Sequence, residues 1–300
     1  MAEADDWRIQ LARRIAPVYA AIARVQAVVL VGGVARGRGD AYSDLDIVVF
    51  WDGTPGEGER RAALAQVERV LQTPLVVGGL YAAPVLGADA DGMLWEDEAF
   101  IGGDAASGFK LDIGHRTVNA MTLILNDVTQ YSDPHGHKQE VLYSIQRVLV
   151  LHGEALVRQW QRQAAQFPDA LRTKLIEQHL ARIKPDLVMH LYRGDLLLVY
   201  QTLVGVQHDL LGVLFALNRI HRPGYKRLRD LCDEIPIKPP ELYDRLNALL
   251  RDDPAQAAGD LDMLVSEVFA LVEQHAPEVD IATARQRCAT RRQPFTTPPV

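Results

Sequence analysis

Apolar positions along the first part of the chain follow two periods in turn. Trp7, Leu11, Ile15, Val18 and Ile22 recur at steps of three and four, which places them on one face of a helix. Residues 27–31 (AVVLV) and 45–51 (LDIVVFW) are short, rich in branched and aromatic side chains and bounded by Gly, Asp and Pro, the signature of strands. Leu64, Val67 and Leu71 return to helical spacing within residues 57–72, Pro74 then punctuates, and residues 75–77 (LVV) read as a further strand. Residues 109–114 (FKLDIG) alternate apolar and polar ahead of a helix predicted to begin near Thr117. This alternation of helix and strand predicts an α/β domain over residues 1–127.

From Lys138 onward the helical period dominates. Leu142, Ile145, Leu149, Leu156 and Trp160 form one stripe, and Leu171, Leu175, Ile176, Leu180, Ile183 and Leu187 another. Residues 128–284 are therefore expected to form a second, all-α domain. The segment 285–300 is Pro-rich at its end and weakly patterned, and is expected to be a tail that is mobile or lies along the surface.

Charge narrows the classes of partner. The formal net charge is -7 at pH 7, which argues against a surface built for broad capture of nucleic acid. Cys232 and Cys288 lie far apart, have no metal-ligand spacing and make no disulfide framework, so a reducing cytoplasm is expected. The first residues carry acids where a signal peptide carries bases, and no segment approaches about 18 uninterrupted apolar residues, so neither export nor a membrane span is expected.

One stretch is costly on its own terms. VVLVGGVARGRGDAYSDLDIVVF, residues 28–50, runs from a strand through two glycines and a polar loop into a second strand headed by carboxylates. Alternate strand residues share a face, so Asp44 and Asp46 point the same way with Cα atoms about 6–7 Å apart. Two like charges so placed repel unless cations or donors neutralise them, and paired carboxylates on one edge are what a two-metal phosphoryl-transfer site requires. Asp112, central in FKLDIG, is a third charge out of place. Gly32 and Gly33 let the backbone turn tightly enough for its amides to approach a phosphate, with Arg36 and Ser43 as further donors.

With these residues in view, the chain resembles the nucleotidyltransferase superfamily that includes DNA polymerase β and the antibiotic nucleotidyltransferases. The shared pattern is an apolar strand, Gly-Gly or Gly-Ser, roughly ten residues, Asp-x-Asp within a strand and a later acid. Here it reads Gly32, Gly33, Ser43-Asp44-Leu45-Asp46 and Asp112, over about residues 25–118. The resemblance implies an α/β (α+β) catalytic domain with a short mixed sheet, followed by a helical-bundle domain. It also implies that the glycine turn holds the β- and γ-phosphates, that Asp44 and Asp46 bind two Mg²⁺ ions, and that Asp112 binds the catalytic ion near the acceptor. Where many relatives carry Ser, this chain has Gly33, which removes a hydroxyl contact and keeps the backbone donor.

Two rival readings of Asp-x-Asp fall behind. Haloacid-dehalogenase phosphatases place an apolar strand before the first Asp, whereas DAYS precedes Asp44 here, and sugar transferases place the pair much deeper in the chain. His115, three residues past Asp112, reads as a core or hydrogen-bonded histidine outside the site. In the helical half, Pro223-Gly224 breaks a helix amid Asn218, Arg219, His221, Arg222, Lys226 and Arg227. By the resemblance this segment supplies nucleotide contacts, with Asn218 and Lys226 as candidates.

The expected reaction transfers a nucleoside monophosphate, AMP from ATP, to a hydroxyl of a small molecule resembling an aminoglycoside or lincosamide. Residues 93–104 (MLWEDEAFIGGD) read as an acidic, aromatic loop suited to a cationic acceptor through Glu96 and Asp97. The alternatives are transfer to a protein or RNA end, as in toxin–antitoxin nucleotidyltransferases, and a non-catalytic nucleotide-binding regulator. Retention of three acids weighs against the regulator.

Overall fold

A computed structural model describes residues 6–84 and 93–291. In chain order, the first elements are α1 (Trp7–Ala20), β1 (Val25–Leu30), the short α2 (Gly32–Ala35), β2 (Leu45–Trp51), α3 (Glu57–Leu71), β3 (Leu75–Pro84), β4 (Met93–Ile101), β5 (Phe109–Thr117) and α4 (Val118–Thr129). They continue with α5 (Gly136–Ile145), β6 (Leu149–His152), α6 (Glu154–Ala164) and then seven helices. These are α7 (Asp169–Leu180), α8 (Val188–Arg193), α9 (Leu196–Leu217), α10 (Leu228–Glu234), α11 (Leu242–Arg251), α12 (Pro254–His275) and α13 (Ala282–Ala289).

The strands form one mixed sheet in the order β3-β4-β5-β2-β1-β6. β1 runs antiparallel to β2 and β6, β4 antiparallel to β3 and β5, and β2 parallel to β5. Along the first halves of β2 and β5 alternation decides which side is dry, whereas their far ends are buried on both faces. Leu45, Ile47 and Val49 of β2 and Leu111 and Ile113 of β5 join a core with Ile9, Ile15 and Tyr19 of α1 and Leu64, Val67 and Leu71 of α3. Each fully buried aliphatic side chain of this kind contributes about 1.5–3 kcal/mol, so the layer of α1 and α3 is what fixes the sheet's dry face. Trp7 departs from the helical stripe expected of it: it is exposed at 52% and stands edge-on to Phe109, ring centroids 4.8 Å apart. Asp6 caps α1 by accepting from Arg8 N, and Thr117 caps α4 by accepting from Ala120 N.

The chain divides into two compact units, one of Met1–Asp133 with Val141–Gln166 and one of Pro134–Glu140 with Phe167–Val300. Residues 141–166 thus belong with the sheet, whereas the sequence pattern assigns everything beyond residue 127 to helices. The reason is β6, where Leu149 fitted a helical stripe by spacing yet pairs with Leu30 across the ladder to β1. Four residues are too few to show a period of their own.

The second unit is helical and built around α9, against which α7, α8, α11 and α12 pack. By length and composition α9 could cross a membrane, with a mean hydropathy of 1.3 over its most apolar window, but half of that window is buried in the folded chain. The expected tail begins inside α13, whose Ala284 and Cys288 are buried, and its last residues, 292–300, lie outside those described.

Candidate active site

The parallel register of β2 and β5 sets Asp46 directly beside Asp112. Both lie on the face opposite the α1 and α3 layer, since their neighbours Leu45, Ile47, Leu111 and Ile113 are buried in the core. Asp44, two residues before Asp46, completes the group: one carboxylate oxygen from each of Asp44, Asp46 and Asp112 falls within 4.8 Å of the others. All three are half-buried. Asp112 Oδ1 is buried and finds no hydrogen-bond partner among the described residues.

The glycine turn abuts this group. Gly32 has φ +75°, and a Cβ built on it would stand 2.5 Å from Asp46 Oδ2, so both the backbone conformation and the space demand glycine. Val31 N donates to Asp46 O at 2.9 Å, tying the end of β1 to the head of β2. Gly33 lies in α2, and its carbonyl accepts from Arg36 N and Arg38 N. Arg36 follows directly, with a buried Nε that has no partner among the described residues.

Ser43 holds the loop together. Its hydroxyl donates to Asp40 Oδ1 at 3.1 Å and accepts from Asp40 N at 2.9 Å. Arg8 braces the same loop from α1, donating through Nε to Ser43 O and through Nη2 to Asp40 O. Sequence reasoning missed Arg8, because nothing local ties the start of α1 to the chain ahead of Asp44.

Two further groups were also missed. Lys110 Nζ lies 2.8 Å from Asp112 Oδ2 and 3.2 Å from Glu98 Oε2. The hydrogen bond to Asp112, with the charges of Asp112 and Glu98, holds this ammonium well above its ordinary pKa against the opposing cost of burial. The signal was present in FKLDIG, where alternation puts Lys110 on the face of Asp112. Glu98 stands opposite Asp112 across the β4–β5 ladder, and Glu96 opposite Gly114, so both acids share the face of Asp112.

The expected acceptor loop needs correction. Residues 93–101 form β4, paired on both edges, instead of a loop. Asp97 points to the other side, is fully buried, and is bonded to Arg60 of α3 and to His115 Nε2. It serves the core and is out of reach of an acceptor. His115 completes that network, accepting from Trp51 Nε1 through Nδ1 at 3.0 Å, and burial pushes its pKa below the ordinary value. Glu96 remains exposed.

The two candidates in the helical unit differ in kind. Asn218 ends α9, with Nδ2 donating to Leu214 O and Ile237 O and Oδ1 accepting from Ile237 N. Its amide is thereby committed to joining that helix end to the segment after α10, which accounts for the residue without a nucleotide. Lys226 is exposed in the turn before α10.

Residues 13–77 match the family model of the nucleotidyltransferase domain. The chain carries a nucleotidyltransferase domain. The match takes in Gly32, Gly33, Asp44 and Asp46, and the sheet register then brings Asp112 to them from outside the matched span. Residues 136–228 match a domain of unknown function, DUF4037. A search of curated proteins finds no match. A nucleotidyltransferase-like protein of known structure from Exiguobacterium sibiricum aligns over 89% of this chain and 77% of that one, at 12% identity and a TM-score of 0.36. The nucleotidyltransferase domain and its acidic triad are together compatible with metal-dependent nucleotidyl transfer.

Proposed function

We propose that this protein is a Mg²⁺-dependent nucleotidyltransferase that moves a nucleoside monophosphate, AMP from ATP, to a hydroxyl of a small cationic acceptor. The observation that carries the reading is the convergence of the Asp44, Asp46 and Asp112 oxygens beside the Gly32 turn.

The residues fit the ions. The donor set is oxygen-only, suited to a hard cation, and the buried Asp112 Oδ1 has an acceptor site to spare among the described residues. Asp44, Asp46 and Asp112 would hold two Mg²⁺ ions, which supply charge neutralisation for the triphosphate and for the developing negative charge.

The chain's own groups do the rest. The turn at Gly32 and Gly33 offers backbone amides to the β- and γ-phosphates, and Arg36 adds a cation beside it. A carboxylate oxygen of Asp112 takes the proton from the acceptor hydroxyl, whose oxygen then bonds to the α-phosphorus as the bond to pyrophosphate breaks. No covalent intermediate with the protein is needed, since positioning and electrostatics supply the acceleration.

Glu96 and Glu98 on the face of Asp112, with the exposed Tyr81 opposite Glu96 on β3, favour an acceptor that carries positive charge. The test is incubation of the purified chain with Mg²⁺ and each α-labelled nucleoside triphosphate over a panel of aminocyclitols, lincosamides, proteins and RNAs. Label on a small amine-bearing acceptor, absent with Asp46→Asn, supports the reading. Label on protein or RNA alone would replace it with the toxin-type reaction, and no transfer with tight nucleotide binding would favour a regulator.

A further inference from the structure

A second group of ligating side chains lies within the helical unit, in the stretch that matches DUF4037. α7 and α9 approach so closely that a Cβ on Gly212 would run into the ring of His179. The imidazole therefore rests on the backbone of α9, one turn beyond Asp209, and its Nδ1 lies 2.8 Å from Asp209 Oδ1. Both residues are buried, with 5% and 7% exposure. A helix crossing of this kind is filled more cheaply by apolar side chains, because a buried imidazole and carboxylate each cost desolvation.

His208 stands next to Asp209 at the half-buried edge of the group, and its Nδ1 meets Tyr225 Oη at 2.8 Å. One ligand atom from each of His179, His208 and Asp209 falls within 4.8 Å of the other two. Around a tetrahedral ion with metal–nitrogen bonds of about 2.0–2.1 Å, donor atoms lie about 3.3 Å apart, a distance that small side-chain rotations reach from here.

We propose that His179, His208 and Asp209 form a transition-metal site, with a zinc-class ion held by two imidazoles and one carboxylate and an open position for water or a further ligand. Nitrogen donors select such an ion over Mg²⁺, so the site is chemically distinct from the oxygen-only triad of the sheet unit. Binding through His208 Nε2 leaves its Nδ1 proton to Tyr225 Oη, the outer hydrogen bond that ligating histidines ordinarily make. The ion takes the place of the proton between His179 and Asp209. The other charges acting on His208 are Arg222 and Arg182, and Arg222 is itself paired with Glu140 at 3.6 Å.

The experiment uses the full chain stripped with EDTA and titrated with Co²⁺ in excess Mg²⁺, which fills the oxygen-only site. The expected result is a visible absorption band that saturates at one equivalent per chain and is displaced by Zn²⁺. His208→Ala, at a half-exposed position, should keep the helical circular dichroism and weaken Co²⁺ at least about tenfold. Asp44→Asn/Asp46→Asn should leave the band unchanged. Absence of the band, equal affinity in His208→Ala, or loss of the band in the aspartate variant would each overturn the proposal.

Discussion

Asp46 and Asp112 are direct partners in the parallel pairing of β2 and β5, although 65 positions separate them in the chain. Two carboxylates at neighbouring positions on one face repel, and Lys110 Nζ, 2.8 Å from Asp112 Oδ2, offsets part of that repulsion. Asp46→Asn and Asp112→Asn each relieve a like-charge contact, while Asp112→Asn also gives up the partly exposed contact with Lys110, so both are expected to change stability by no more than about 1 kcal/mol while lowering nucleotidyl transfer about 10²–10³-fold. Unfolding scans alongside calorimetry of nucleotide binding with and without Mg²⁺ check both halves. Mg²⁺-dependent binding that survives in both variants would show that these oxygens are not the ligands.

Gly32 answers to the same carboxylate. Alanine there would carry a Cβ at φ +75° and 2.5 Å from Asp46 Oδ2, so Gly32→Ala is expected to cost about 1–3 kcal/mol and to abolish activity by moving Asp46. Gly33→Ser, by contrast, is expected to keep triphosphate binding. Equal losses in the two variants, read by unfolding and by nucleotide titration, would count against a special role for Gly32.

Lys110 holds the place that a cation would contest. Its ammonium touches Asp112 and Glu98, a partly exposed arrangement worth at most about 1 kcal/mol. Removing it as Lys110→Met is expected to tighten Mg²⁺ binding in the absence of nucleotide by up to about fivefold. Weaker binding in Lys110→Met would mean that the lysine organises the carboxylates instead of competing for them.

The acidic face was legible wherever a local period carried it. Asp46 and Asp112 each interrupt an apolar strand, and Asp44 stands just ahead of β2, close enough in sequence to Asp46 for the pair to be read together. That Asp112 meets Asp46 depends on a parallel register set by α3 and two intervening strands, which no short pattern encodes. Asp97 misled because β4 carries acids on both faces, and only the depth of Arg60 and His115 shows which face is dry. The His179 cluster was invisible for a similar reason: its members are brought together by a helix crossing made possible at Gly212.

The buried network predicts how stability responds to acid. Burial lowers the pKa of His115, so the folded protein keeps its imidazole neutral, while the unfolded chain titrates near the ordinary value of about 6.5. As pH falls the unfolded state takes up the proton first, so the contribution of His115 is whole above about pH 6.5 and declines below it towards the folded value. His115→Gln keeps one acceptor for Trp51 and one donor for Asp97 without titrating. Urea unfolding at about pH 7.5 and 5.5 should show a smaller pH-dependent loss in this variant than in the parent; an equal loss would place the acid sensitivity elsewhere.

Glu96 tests the charge of the acceptor. It is exposed on the same face of β4 as Glu98, opposite Gly114 and two residues along from Asp112 on β5, while Asp97 between them is turned into the core. If the acceptor is cationic, its ground-state binding draws on this acidic face and the nucleotide's does not. Glu96→Gln should then raise KM for the acceptor about two- to fivefold, the scale of an exposed charge pair, with kcat and the KM for ATP little changed. The effect should shrink with added salt, because exposed charges are screened over about 8–10 Å at physiological ionic strength. An increase confined to the nucleotide's KM would place the triphosphate on this face, and no change with an efficient cationic substrate would leave recognition to groups other than the acids of β4.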